Sequence, residues 1–375
     1  MNKKNIILLL LIVCFTMCKQ KTPQSDHFIA VDMDRPETVS FFDYFSSIEL
    51  VQLENSSNAL VSAISKFIVF KDNFYLLDKR QCVIFVFNQT GEYLFKIDNK
   101  GNGPGEYSFI QDFNINPFSG NIELLEPYGS VHIYDLSGNY FETKRIIYPD
   151  FTAVHKFAII DNKTHVFHAH YTPEMIIYYN LDDNVLLHKE YKEDRNLSYY
   201  AYKNVYSYQD DWFVYRPVNP FVYKIGMEKL EIAFQFDFGK YTREGLSSNF
   251  TEEGRRNRNK LLEEWFAQFP YAITTVRHNR HYLFTTLVWK EPNRMANIIY
   301  DQYTGKSKFI LDFAEKVEFD PEVVTDEYVF SICHWVDLKK YISKEMLNDL
   351  QKEIFESLLQ STNETNPVLI KFRFK

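Results

Sequence analysis

The chain reads as an all-β protein: a six-bladed β-propeller closed on itself, with two helical insertions. Three observations predict it. An aromatic strand, a polar or glycine turn and a second strand recur along the chain. The recurrence has a nearly constant period. One β-patterned segment near each end of the chain lacks a partner in its own repeat.

The recurring unit is plainest at Val83–Asn88, which turns at Gly91 into a second strand ending at Ile97. It returns at Val131–Asp135 with a turn at Gly138, at Ile176–Asn180 with a turn at Asp182 and Asp183, at Phe221–Lys224 with Gly226, and at Ile298–Asp301 with Gly305. These strands end at 88, 135, 180, 224 and 301, so the spacings are 47, 45, 44 and 77 residues. A four-stranded blade needs about 40–50 residues, which fits the first three. The long interval holds the segment Glu252–Phe269, where Leu261, Leu262, Trp265, Phe266 and Phe269 fall at helical spacing. The first helical insertion is expected at about 245–269, and removing roughly 30 residues for it restores one blade period.

Two more β-patterned runs precede each unit. Ser65–Phe70 and Phe74–Leu77 flank the turn Lys71–Asn73. Phe109–Ile115 and Asn121–Leu125 flank Pro117–Gly120, and Val154–Ile160 and Thr164–His168 flank Asp161 and Asn162. This makes four strands per unit. The strand Val368–Phe374 has no successor and Ile48–Leu53 has no predecessor. Pairing them completes the last blade and removes the exposed edges of an open array. A second insertion, about 341–360, is expected to start with Ser343 as helix cap and to put Leu347, Leu350, Ile354 and Leu358 on one face.

The N-terminus differs from all this. Lys3 and Lys4 precede the apolar run Ile6–Phe15, and no acidic residue appears before Asp26. A run this short reads as a secretory signal, since a spanning helix needs about 20 apolar residues. Phe15-Thr16-Met17-Cys18 resembles a loose lipobox, so residues 1–17 are expected to be removed and Cys18 to carry lipid; Cys14 is the rival, but it sits inside the apolar run. Residues 18–40 are then expected to be a lipidated tether and 41–375 the propeller. By resemblance to enterobacterial lipoprotein sorting, Lys19 rather than Asp after the lipobox implies the outer membrane, facing the periplasm or the exterior.

The net charge of −8 argues against nucleic acid as a partner. The expected partners are the membrane, through the lipid anchor, and a glycan or an envelope protein. Cys82 and Cys333 do not make a disulfide framework and are expected to be buried thiols.

Candidate sites were weighed against packing roles. Gly101-Asn-Gly103-Pro-Gly105 lacks the Lys-Ser/Thr of a phosphate loop and leads into a strand, so it reads as an interblade turn. His168 and His170 share a strand face and are the candidate metal ligands, with His155 or Asp161 as a third; His278 and His281 are a weaker pair. No cofactor is expected, with calcium the one candidate: propeller lactonases hold it at the channel mouth, where Asn114, Asp112 or Asp211 would serve. No catalytic residue is singled out. Gly-x-Ser-x-Gly is absent, and Cys333 and His334 face opposite sides of a strand. The acidic pairs Asp182–Asp183, Glu252–Glu253 and Glu263–Glu264, and the basic run Arg255–Lys260, read as solvated charge. Among 26 Tyr and 34 Phe, the cluster Tyr199, Tyr200, Tyr202, Tyr206 and Tyr208 is the densest. It offers either strand packing or a glycan-stacking surface.

The chain resembles the six-bladed β-propeller lipoproteins of Gram-negative gut-type anaerobes, with NHL-like blades, over about Phe41–Lys375. The resemblance rests on Lys100-Gly-Asn-Gly-Pro-Gly-Glu-Tyr107, on Tyr134-Asp-Leu-Ser-Gly138 and on Asn366-Pro-Val-Leu-Ile-Lys-Phe372. It implies fold and location and no specific activity. Two functions follow: an envelope propeller that binds a ligand or partner, or a metal-dependent hydrolase or lactonase with its site at the channel mouth.

Overall fold

A computed structural model describes residues 28–147, 153–169, 174–192, 203–242, 251–292, 294–360 and 365–375. Among these described residues, twenty-five strands form six sheets, which are the six blades. Their inner strands are Lys66–Phe70, Asp112–Ile115, Val154–Ile159, Val205–Tyr208, Tyr271–His278 and Val323–Val324. The repeat seen in the sequence is the third strand of each blade, which ends at Asn88, Tyr134, Asn180, Ile225, Asp301 and Phe374.

Ring closure is as expected. Phe45–Gln52 pairs antiparallel with Val368–Phe374, Leu50 opposite Ile370, and forms the outer strand of blade six. Aromatic rings seal the seam: Phe45 lies 5.5 Å from Phe372, and Phe41 lies 4.6 Å from Phe45 and 4.8 Å from Phe372. The free edge of the closing strand is covered by the helix Asp349–Gln360, whose buried Gln351 accepts the Leu50 N–H at 2.7 Å. Asn366 ties the two ends again, accepting from Val61 N and donating to the Glu54 and Ala59 carbonyls.

The 18–40 tether is corrected from Phe28 onward. Phe28–Ala30 adds a fifth, parallel strand to the outer edge of blade four, and Glu37 bridges to Ile310 of blade five. Ile29, Val31 and Met33 alternate into the core, the period-2 pattern of a half-buried strand. The segment is therefore a strap across two blades. The helix of the second insertion is also corrected. It begins at Asp349, with Asn348 accepting the Gln351 N–H, while Ser343 makes no side-chain cap. Its buried face holds Gln351, Phe355 and Leu358, and Leu350 is exposed. A short 3₁₀ turn at Lys344–Met346 uses up residues that the sequence pattern assigns to the helix.

The first insertion consists of helices Glu252–Arg256 and Arg258–Gln268, broken at Asn257, with Trp265 fully buried against blades four and five. Both insertions join strand ends on the face where the six inner strands begin. On the other face, near the axis, the connections are tight hairpins.

Neighbouring blades are latched by one recurring contact: the outer strand of a blade, or its end, meets the outer hairpin of the next. Glu54 N donates to Gly91 O at 2.7 Å, Gly138 packs on Phe95, Asn184 Nδ2 donates to Arg145 O at 3.0 Å, and Leu230 N donates to Glu190 at 2.9 Å.

Candidate functional site

The inner strands enclose a channel of about 480 Å³ to which all six blades contribute. Charged side chains gather at it because two of the six inner strands open on a charged residue and others carry one close to their start. Lys66 opens the strand of blade one and Asp112 that of blade two, and Lys156 lies near the start of that of blade three. The Asp112 carboxylate is fully buried and bridges two ammonium groups, with Lys66 Nζ at 3.1 Å and Lys156 Nζ at 3.2 Å. Lys66 also donates to Asn114 Oδ1 at 2.7 Å, and Asn114 Nδ2 donates to the Phe157 carbonyl at 2.7 Å. The two oxygen-bearing side chains considered for calcium thus already hold a lysine ammonium between them. Asp211 lies elsewhere, on the second strand of blade four, paired with Lys224 at 2.7 Å.

Burial by itself would raise the Asp112 pKa; Lys156 and Lys66 outweigh it and hold the carboxyl below its ordinary value. Lys66 shows the opposite balance. Burial, helped by Lys156, brings its pKa down to about 8 against the pull of Asp112. Lys79, which follows the second strand of blade one, is brought to about 8 by burial and by repulsion from Lys156. His155 is pushed down to about 4 by burial and by Lys79 and Lys156, so it is neutral at pH 7. Its Nδ1 lies 2.9 Å from the Gln111 amide nitrogen, an obligate donor, which leaves the ring proton on Nε2.

Across the channel the charges balance. Lys203 Nζ meets Asp320 at 2.8 Å and Glu322 at 2.6 Å. Burial opposes its charge, but Glu322 and Asp320 prevail and raise its pKa. Arg277 donates to the main-chain carbonyls of Glu322, Lys203 and Val276 and lies 5.1 Å over the Tyr206 ring. At the hairpin end, the Tyr208 hydroxyl donates to Asp326 at 2.9 Å.

The other sequence candidates fall outside this arrangement. The His168 ring contacts the Arg216 guanidinium and lies 3.4 Å from Asn204, buried between blades three and four. His170 and Cys18 lie outside the described residues, as do Tyr199, Tyr200 and Tyr202. Among the described residues, no group of three His, Cys, Asp or Glu side chains is placed to hold a metal. His278 is packed among Tyr208, Phe213 and Phe234, and His281 packs on Tyr303. The glycine loop is an interblade turn: Glu106 accepts the Gly103 N–H at 2.7 Å, occupying its amides, and the Tyr134 hydroxyl donates to the Gly105 carbonyl. Arg256 pairs with Glu252, and Lys260 with Glu263 at 3.2 Å, as expected of a solvated helix face. Cys82 and Cys333 are buried thiols in separate cores, and burial pushes Cys333 up to about 12. The residues missed in the sequence are Lys66, Lys79, Lys156 and Lys203, whose convergence depends on ring closure and leaves no local motif.

The fold and channel together define a closed six-bladed propeller with a charged axial cavity. The chain matches, over residues 26–373, the family described as a domain of unknown function, DUF4934, and it belongs to that family. A protein of Bacteroides fragilis described as exported is similar in fold, at TM-score 0.72 and 17% identity, covering 93% of this chain and 99% of the other. A member of the DUF4221 family from Bacteroides vulgatus aligns at TM-score 0.48 and 10% identity, covering 88% of this chain and 93% of that one. No curated protein matches the chain.

Proposed function

We propose that this chain is an exported, lipid-anchored propeller of the cell envelope that binds a ligand in its axial channel. The observation that carries the reading is the cavity itself, to which all six blades contribute and which Lys66, Lys156, Lys203, Arg277, Glu322 and Tyr208 line. Export is supported by the N-terminal signal pattern and by the exported character given to the Bacteroides fragilis relative in fold. The lysines bound to Asp112 and Asn114 favour binding over metal-assisted hydrolysis, because an ammonium stands where a cation would need those oxygens.

The test is a thermal-shift screen of the purified protein with divalent cations, neutral and acidic oligosaccharides and peptidoglycan fragments. A ligand present at 100 times its Kd adds about 2.7 kcal/mol to stability. The expected outcome is a shift that disappears in Ser207→Trp, which fills the channel from an exposed lining position of blade four. A shift with calcium that a chelator reverses, and nothing else, would sink the binding reading in favour of a metal-dependent enzyme.

A further inference from the structure

The channel is not electrically even. At the end where the inner strands begin, blades one and three bring Lys66 and Lys156 to a single carboxylate, Asp112 of blade two, and Lys79 of blade one stands near enough to Lys156 for the two charges to repel. The geometry is set by the strands. Lys66 and Asp112 are the first residues of neighbouring inner strands, and Lys79 follows Asn73–Asp78, which runs antiparallel to Lys66–Phe70 and so ends beside its start. Lys66 and Lys156 share Asp112, whereas Lys79 meets no carboxylate among the described residues. One lysine would neutralise Asp112; three leave up to two positive charges in a partly dehydrated cavity. The opposite wall supplies no relief, since Asp320 and Glu322 are taken by Lys203.

We propose that this end of the channel, bounded by blades one, two and three, is an anion-recognition site in which Lys66, Lys79 and Lys156 take a small ligand bearing a carboxylate or phosphate group. The inference rests on the channel being the ligand site and names the ligand's chemistry. An incoming oxyanion supplies the acceptor that Lys79 lacks and relieves its repulsion from Lys156. Ammonium groups are point-charge donors and suit either a planar carboxylate or a tetrahedral phosphate. Neutral His155, with its proton on Nε2, sits beside the cluster without competing for the anion's charge.

Titration calorimetry with glucuronate, inorganic phosphate and neutral galactose tests this. One or both acidic probes should bind and galactose should not; binding of glucuronate alone identifies a carboxylated ligand, and of phosphate alone a phosphorylated one. Lys79→Met should weaken acid binding roughly tenfold or more, with no loss of unliganded melting temperature, and Lys79→Arg should retain it. Affinity should fall as pH rises through about 8, where Lys66 and Lys79 lose their protons. His155, Asp112, Asp320 and Lys203 keep their charge states through that window. Equal binding by wild type and Lys79→Met, or equal binding of glucuronate and galactose, would overturn the anion site while leaving a channel-binding protein. Failure of every probe and every ligand of the wider screen would overturn both.

Discussion

Single residues in this fold carry loads that their type alone does not announce. Asp78 is fully buried at the end of a strand, and its carboxylate accepts from Ser62 N and Oγ, Ala63 N, Arg80 N, Gln81 N and Gln81 Nε2. It joins the linker from blade six to the inner hairpin of blade one. Asp78→Ala leaves these donors without an acceptor and is expected to cost about 2–4 kcal/mol in urea unfolding. The channel lysines give a prediction in the other direction. Their folded pKa values lie near 8, below the ordinary 10.5. Between those values the unfolded chain binds more protons than the folded one, so stability rises with pH across that window. The lysine contribution to that rise should be smaller in Lys66→Met and in Lys79→Met, as read by chemical denaturation at pH 8 and pH 10. The Asp112 carboxyl gives the same slope in an acid window: held below its ordinary value, its stabilising contribution is present above about pH 4 and lost as the pH falls through its folded pKa.

Elements, not residues, make the closure. Phe45–Gln52 is an eight-residue strand whose partner lies more than 300 positions away in the chain. Its pairing is specified by Phe45, Ile48 and Leu50 on one face, buried against Phe372 and Ile370. Phe45→Ala is expected to cost about 3–5 kcal/mol, because the aromatic seam cannot collapse into the vacated space. Gly91 sits at φ +90°, and a Cβ there would lie 2.3 Å from the Gln52 carbonyl oxygen. Gly91→Ala should therefore lower the melting temperature through both the strained turn and the broken latch, whereas Gly305→Ala, with open space around it, carries the backbone strain alone. The difference between the two variants measures the latch.

The whole molecule is a closed ring in which two of the outer blade edges are covered. The outer edge of blade six is covered by the helix Asp349–Gln360, and that of blade four by the strap Phe28–Ala30. Deleting residues through Gln52 removes both the strap and the closing strand. The truncated chain should associate, seen as heavier species in sedimentation, because it exposes the edge of Val368–Phe374. At this scale too belongs the anchor: Cys18→Ala should move the protein from the membrane fraction to the soluble one, and continued membrane fractionation would end the lipoprotein reading.

The sequence by itself determined the architecture. A 44–47-residue period, aromatic third strands, turn residues and two end strands without local partners define the blades and point to their closure through patterning that is legible along the chain. It also carried the strap, in the alternation of Ile29, Val31 and Met33, although the polar composition of the residues just before it drew attention away from that pattern. What only the tertiary structure decided is the channel chemistry. Lys66, Asp112 and Lys156 are separated by about 45 residues each, and alone each reads as an ordinary strand-end charge. Their meaning is Coulombic and depends on distance and burial, which exist only once the ring has closed and brought lysines at or near the starts of two inner strands to within hydrogen-bonding reach of the carboxylate that opens a third.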